Sequence, residues 1–367
     1  MHSSEQAMRK LLFLMLCVVP AVPVTHADID LSAKQLQIYG ELHGSIDYYD
    51  RGKSTATVSE PAGVEVTSNS SYIGFKGEIN LASDVQGIWK FESEFDLSGE
   101  ADTIEARHRY VGLSTVAGSL VVGTHSTPLK EIGSRYTLFG DTIGDRTSIL
   151  GQTSNGDNQF NQRAKSMMLY RVHKDGFSGS LMYSSDSSAN SNPDMGDSGV
   201  SSRLSGFGMG YRQGNLNIAV AGEKQVAIDS VQGRNASGYR IGLNYQLGDF
   251  HLGGLLEVLK DEGYGAAIER DAWAANIAYR ITDFVTVAGQ YLKAGESPAG
   301  GDGARQYSIG IYYNLGKAAQ LYLAHAALEN GVNASYRLSR SGHGQAYAPT
   351  QNGERITAIS TGAIYNF

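Results

Sequence analysis

From Leu36 the chain alternates in character residue by residue. Leu36, Ile38, Leu42, Ile46 and Tyr48 hold one parity, and Gln37, Glu41, His43, Ser45 and Asp47 the other. A period of two over about fourteen residues predicts a strand with one apolar and one polar face, longer than the common globular strand. That length suits a strand that crosses a bilayer at a tilt, which takes about 9–11 residues, and runs on beyond it. At the other end Ile359, Thr361, Ala363, Tyr365 and Phe367 alternate with Ser360 and Asn366. An uncovered edge strand invites aggregation, so this last strand is expected to pair with the first and close a barrel.

The same periodicity divides the chain into about sixteen strands: 36–49, 70–81, 85–98, 106–114, 118–125, 163–172, 177–184, 203–211, 216–223, 237–247, 250–259, 271–280, 285–292, 305–315, 319–328 and 355–367. Their connections alternate in length. Short turns at 81–84, 115–117, 173–176, 212–215, 248–249, 281–284 and 316–318 face long loops at 50–69, 126–162, 185–202, 224–236, 260–270, 293–304 and 329–354. An even number of strands with short turns on one side and long loops on the other is the pattern of an all-β transmembrane barrel, short turns periplasmic and long loops external.

Trp89, Phe91 and Phe95 alternate with Lys90, Glu92 and Glu94, and Tyr239, Ile241, Leu243 and Tyr245 with Arg240, Asn244 and Gln246. One face carries charges and amides where a soluble sandwich would carry a second apolar layer, which predicts a polar lumen inside an apolar exterior. Composition agrees, with 45 Gly and 21 Tyr against 7 Pro in 367 residues. Segment 126–162 is out of scale for a connection. It holds Lys130, Glu131, Arg135, Asp141, Asp145, Arg146 and Asp157 among glycines at 133, 140, 144, 151 and 156. It is expected to fold into the lumen and narrow it.

Residues 1–27 read as a cleaved secretory leader: Arg9 and Lys10, an apolar run from Leu11 to Val19, and Thr25-His26-Ala27 before the cut. Cys17, the one cysteine, lies inside it, so the exported chain takes no stability from disulfides. Cleavage removes two bases and one acid and moves the formal charge from −7 to −8. An acidic chain of scattered charge is a poor partner for nucleic acid.

Four segments resemble the general diffusion porins of Gram-negative bacteria: Ile38-Tyr39-Gly40; Tyr72-Ile73-Gly74-Phe75-Lys76-Gly77-Glu78; Arg107 to Leu113 followed by Gly118-Ser119-Leu120; and Tyr365-Asn366-Phe367. The resemblance covers 28–367. It implies a homotrimer of sixteen-stranded barrels in outer-membrane lipid and lipopolysaccharide, each with its third external loop folded inside as a constriction. It further implies that basic wall residues face acids on that loop. The loop positions are Glu131, Asp141, Asp145 and Asp157; those on the wall are Glu41, Lys76, Lys90, Arg107, Arg109, Arg163 and Lys165. Tyr365 and Phe367 match the terminus read by the barrel-assembly machinery. The segment Leu138-Phe139-Gly140-Asp141-Thr142 resembles the family's constriction turn, while Glu41 and Tyr72 stand where enteric members carry bases, and Leu138 where an acid is common. The transverse field is therefore expected to be weak.

His43, Ser45 and Asp47 share a parity, but positions i and i+2 on a strand are about 7 Å apart, too far for a nucleophile and its base. His108 sits between two arginines on the apolar parity and reads as a packed side chain. His173, His251, His325 and His343 are isolated, and Gly206, Gly208 and Gly210 lie on a strand, where they mean sheet packing. No catalytic, metal or cofactor site is expected. The reading is a passive, water-filled channel for ions and small hydrophilic solutes, with weak cation preference. A solute-specific channel for sugars or anions would require convergent lumen groups; a barrel enzyme or adhesin would not conduct.

Overall fold

The computed structural model describes residues 36–99, 104–152, 160–186, 202–228, 234–262 and 268–367. The expected leader lies outside them. Seventeen antiparallel strand segments form one closed sheet: β1 Gln37–Asp50, β2 Ala62–Ser68, β3 Tyr72–Ala82, β4 Val85–Phe95, β5 Ile104–Thr115, β6 Gly118–Ser126, β7 Arg163–Lys174, β8 Phe177–Ser184, β9 Arg203–Gln213, β10 Leu216–Val226, β11 Asn235–Leu247, β12 Phe250–Asp261, β13 Ile268–Arg280, β14 Val285–Ala294, β15 Ala304–Leu315, β16 Ala319–Asn330 and β17 Arg355–Asn366. β1 and β17 pair from Glu41 opposite Asn366 to Asp50 opposite Thr357. Gly40 and Phe367 exchange backbone bonds of 3.1 and 3.2 Å, so the chain's last residue completes the seam.

β1 pairs with both β2 and β3, which makes these two a single interrupted stave of a sixteen-stranded barrel. The sequence placed this strand at 70–81 and read 50–69 as loop; the pairing begins earlier, at Ala62. The interruption at Asn69-Ser70-Ser71 is stable because its polar side chains replace the lost ladder. Asn69 donates its amide to Ser45 Oγ at 2.9 Å and its N–H to the His43 carbonyl at 2.8 Å, and Ser71 Oγ reaches the same carbonyl.

The outer face is the apolar one: Ile46, Val111, Leu181, Met209, Leu256 and Ile309 are all exposed. Outward rings pair near the short turns, as in Phe177–Tyr211 and Phe250–Tyr279 with centroids 4.4 and 4.5 Å apart, and again toward the long loops in Trp273–Tyr291–Tyr307 at 4.9 Å. Two aromatic girdles with an apolar band between them suit a hydrocarbon core with two interfaces. No described helix is long and apolar enough to cross a membrane; the crossing is made by strands. The main buried apolar cluster lies on the inner side, between segment 127–162, the loop before β17 and the inward residues of β10–β17.

Candidate pore constriction

Segment 127–162 begins with a helix that the strand periodicity did not register, α1 Pro128–Arg135. Thr127 caps it by accepting from the Lys130 N–H, and Pro128 supplies the fixed φ of a first turn. That Thr-Pro pair was the available signal. α1 lies against β8–β11. Room for it comes from glycines on the inward parity: a Cβ at Gly208 would stand 3.2 Å from Pro128, and one at Gly242 only 2.4 Å from the Tyr136 ring. The glycines of β9 therefore serve the approach of this helix as well as sheet packing.

Polar side chains of the wall then bind the segment's backbone. Arg240, wholly buried, donates to Glu257 at 2.6 Å, to the Leu129 carbonyl at 2.8 Å and to Asn161 Oδ1 at 3.2 Å. Glu257 also accepts the Gly151 N–H at 2.8 Å. Gln290 accepts from Leu138 N–H at 2.7 Å, and Gln290 and Gln306 both donate to the Gly144 carbonyl. Asn276 and Asn244 donate to the carbonyls of Tyr136 and Arg135. Leu129, Ile132, Tyr136, Phe139, Ile143, Leu150 and Phe160 fill the space between against Ala219, Ala221, Ala272, Ala274 and Leu255. Burying these residues against small wall side chains contributes about 1.5–3 kcal/mol for each large one.

The opposite wall, β1 and β3–β5, is charged. Arg107 donates Nε to Glu92 at 2.8 Å and Nη1 to Glu94 at 2.9 Å, and lies over the Tyr72 ring at 4.4 Å. Lys90 binds Glu92 at 2.9 Å, Tyr39 donates its hydroxyl to the same carboxylate, and Lys76 sits 4.9 Å from the Tyr39 ring. Glu41 feels Asp141, Arg107 and Glu92, and Arg163 feels Arg107, Glu94, Glu92 and Asp141. The loop tip carries Asp141 and Asp145. Phe139 and Asp141 both adopt left-handed backbone with φ of 61° and 57°, and Asp145 caps a 3₁₀ turn at Arg146–Ser148. Burial and the neighbouring Asp145 raise the Asp141 carboxyl above the ordinary aspartate range. Burial, with Arg163 and Arg146 nearby, pushes the Lys130 amine well below its ordinary value.

Several expected site residues stand elsewhere. The β4–β5 register slips between Phe91 and Ser93, so that Arg107 and His108 share the inner side and Arg109 falls opposite Phe91 on the outer one. Arg109 lies over the Phe91 ring at 4.6 Å and donates to Ser93, so it is not a lumen-wall residue; His108, expected on the apolar face, turns inward to meet the His125 ring edge-to-face at 4.4 Å. A second slip in the β6–β7 pairing, near Ser166, leaves Lys165 exposed on the parity opposite the buried Ala164. Glu131 turns toward β7 and binds Arg171. Asp157 lies outside the described residues. Ala272 and Ala274 pack against the inner loop.

A second loop, 331–354, reaches the site without a sequence signal of its own. Ser339 and Ser341 accept no role in the alternation, yet their N–H groups donate to Ser148 and Thr147 at 2.9 and 3.1 Å. His343 Nε2 lies 2.8 Å from Asp47, Tyr347 donates its hydroxyl to Asp47 at 3.0 Å, and the Gly344 N–H donates to Asn69. His343 is therefore a buried partner of β1. His43 goes to Tyr322 at 2.9 Å, while Thr67 lies 2.7 Å from Ser45 and donates to Asp47 at 3.2 Å. No group of metal-ligating side chains occurs among the described residues.

Comparison with known proteins places this architecture. The Gram-negative porin family model matches residues 15–333. A major outer membrane protein P.IB of Neisseria gonorrhoeae is 23% identical over 332 residues, 85% of this chain and 94% of that one. Another P.IB from the same species is 26% identical over 191 residues, so there the match spans about half of each, 51% of this chain and 53% of the relative. Among solved structures, the anion-selective porin from Comamonas acidovorans has a TM-score of 0.77 at 21% identity, covering 91% of this chain and 99% of its own. A trimer form of OmpT from Vibrio cholerae has a TM-score of 0.68 at 17% identity, with 91% and 99% covered. The closed sixteen-stranded barrel, its apolar exterior and the family match agree: the chain belongs to the Gram-negative porins, outer-membrane channels for passive diffusion and not enzymes.

Proposed function

We propose that segment 127–162 is the constriction of this channel and that the pore runs between it and the charged wall of β1 and β3–β5. The observation that carries the reading is one-sided attachment: the segment's bonds and apolar contacts go to β7–β16 and to loop 331–354, while Asp141 sits among Arg107, Glu94 and Glu41 of the other wall. Solutes pass by size, and ions are biased by the charges lining the gap. Glu41, Glu92, Glu94, Asp141 and Asp145 meet Lys90, Arg107, Arg146 and Arg163, a nearly balanced set that supports weak cation preference, strongest at low salt. Reversal potentials across a planar bilayer under a salt gradient test this. Replacing Asp141 and Asp145 with Asn moves them toward anions; unchanged potentials would refute a place for these acids in the pore.

The working unit is a homotrimer, as in the OmpT trimer form, held in outer-membrane lipid and lipopolysaccharide after removal of residues 1–27. A single-barrel mass by light scattering would overturn the trimer. Phe367 closes the seam with Gly40 and, with Tyr365, serves as the signal to the assembly machinery. Deleting Phe367 lowers outer-membrane levels, and normal levels in the truncated protein would refute that role.

A further inference from the structure

Three rows of inward side chains cross the charged wall from β1 through β3 to β4. Gln37, Lys76 and Lys90 form the row nearest the short turns; Tyr39, Gly74 and Glu92 form the next, and Glu41, Tyr72 and Glu94 the one toward the long loops. The first row sets two lysines directly opposite each other, which is unfavourable for like charges on neighbouring strands. The third row is acidic apart from Tyr72. Between them the Tyr39 ring lies across β3 and donates its hydroxyl to Glu92, two strands away, at 2.8 Å. That crossing depends on Gly74, where a Cβ would overlap the far end of the ring.

Both lysines use that ring. Lys76 Nζ lies 4.9 Å and Lys90 Nζ 5.2 Å from its centroid, and Lys90 also binds Glu92 at 2.9 Å. An aromatic face within about 6 Å attracts an ammonium, and the carboxylate at the tip of this one adds to the pull. Both charges are thereby drawn back onto the wall. Lys76 is exposed and makes no ion pair among the described residues, so the ring is the group that holds it. Tyr72 seats Arg107 in the same way at 4.4 Å, and the two tyrosine rings meet edge-to-face at 6.1 Å. We propose that Tyr39 is a positioning residue for ion selectivity: it keeps Lys76 and Lys90 out of the gap, so that Glu41, Glu94 and Asp141 set the sign of the preference. Without the ring the long Lys76 side chain carries its charge into the lumen. This role rests on the reading above that the pore runs along this wall.

The test is the cation-to-anion permeability ratio, taken from reversal potentials of the whole protein in planar bilayers under a potassium chloride gradient at low and at high salt. Tyr39→Ala lowers the ratio by about twofold at low salt, where the screening length is about 30 Å at 0.01 M, and by little near 1 M, where it is about 3 Å. Gly74→Ala leaves Tyr39 in the chain but pushes its ring aside, and it shifts the ratio in the same direction. Tyr39→Phe keeps the ring and loses only the hydroxyl, so it recovers most of the ratio. Adding Lys76→Gln to Tyr39→Ala returns the ratio to the unaltered value or above it, because the released charge is gone. A shift that persists at high salt or survives Lys76→Gln would mark a structural collapse of the wall and overturn the proposal, as would equal shifts in Tyr39→Ala and Tyr39→Phe. Unchanged ratios in Tyr39→Ala and Gly74→Ala, beside the expected shift on replacing Asp141 and Asp145, would overturn it and leave the pore at this wall. Unchanged ratios in all of these variants would remove both readings.

Discussion

The inner face of β10–β16 and the inner face of β1 and β3–β5 are built from the same alternation yet do opposite things. The first presents Ala219, Ala221, Ala272, Ala274 and Ala288 with Gly242 between them, and a loop packs onto it. The second presents Glu41, Lys76, Lys90, Glu92, Glu94 and Arg107, and among the described residues segment 127–162 approaches it through the charges of its tip and not by apolar packing. Small apolar residues on a parity that should meet water mark where a second layer lies. Charges on that parity mark where solvent stays.

The comparison can be broken most forcefully at Arg240. Removing it leaves Glu257 buried without its cation and two loop hydrogen bonds unmade, a loss of about 3–5 kcal/mol for breaking a buried pair. Arg240→Ala is expected to free segment 127–162, with larger and noisier single-channel conductance and new protease cleavage inside the segment. A quiet wild-type conductance would show that the wall does not hold the loop through this residue.

Gly242→Val tests the same seat sterically. Its branched side chain would overlap the Tyr136 ring, so the helix end must shift, at a cost of about 1–3 kcal/mol for overpacking. Conductance and thermal unfolding report it, and both are expected to move in the direction of Arg240→Ala by a smaller amount.

On the charged side, Arg107→Ala with Arg163→Ala releases Glu94 from its cation and leaves Glu92 with Lys90 alone. Cation preference and conductance should both rise, and fixed reversal potentials would contradict the assignment. Acidification gives a finer probe. Because burial and Asp145 raise the Asp141 carboxyl, it takes up its proton as pH falls while exposed acids are still ionised. The cation preference should therefore begin to decline above the ordinary carboxyl range, and Asp141→Asn should remove that early step. The smallest effect is expected from Arg109→Ala, which sits outside the barrel; a change of reversal potential there would place it in the lumen after all.

Arg109 also shows where strand arithmetic stops. Period two fixes a face only while every residue is paired one to one, and a single extra residue on β5, where Arg107 and His108 together face Glu92, means that parity counted from Arg107 misplaces His108 and Arg109. Nothing in Arg107-His108-Arg109 announces that slip. Likewise His343 looked isolated because its partner, Asp47, is some three hundred positions away.

By itself the sequence determined the strands, their even number, the short and long ends, the lipid-facing parity and the closure through Phe367. All of these follow from local alternation and from the need to leave no edge unpaired. Only the tertiary structure decided which wall receives the inner loop, that a helix opens it, that loop 331–354 reaches the same site, and which charges reach the gap. Those outcomes depend on contacts between segments far apart in the chain, where the packing of Tyr136 over Gly242 or the reach of Arg240 to Leu129 has no local signature.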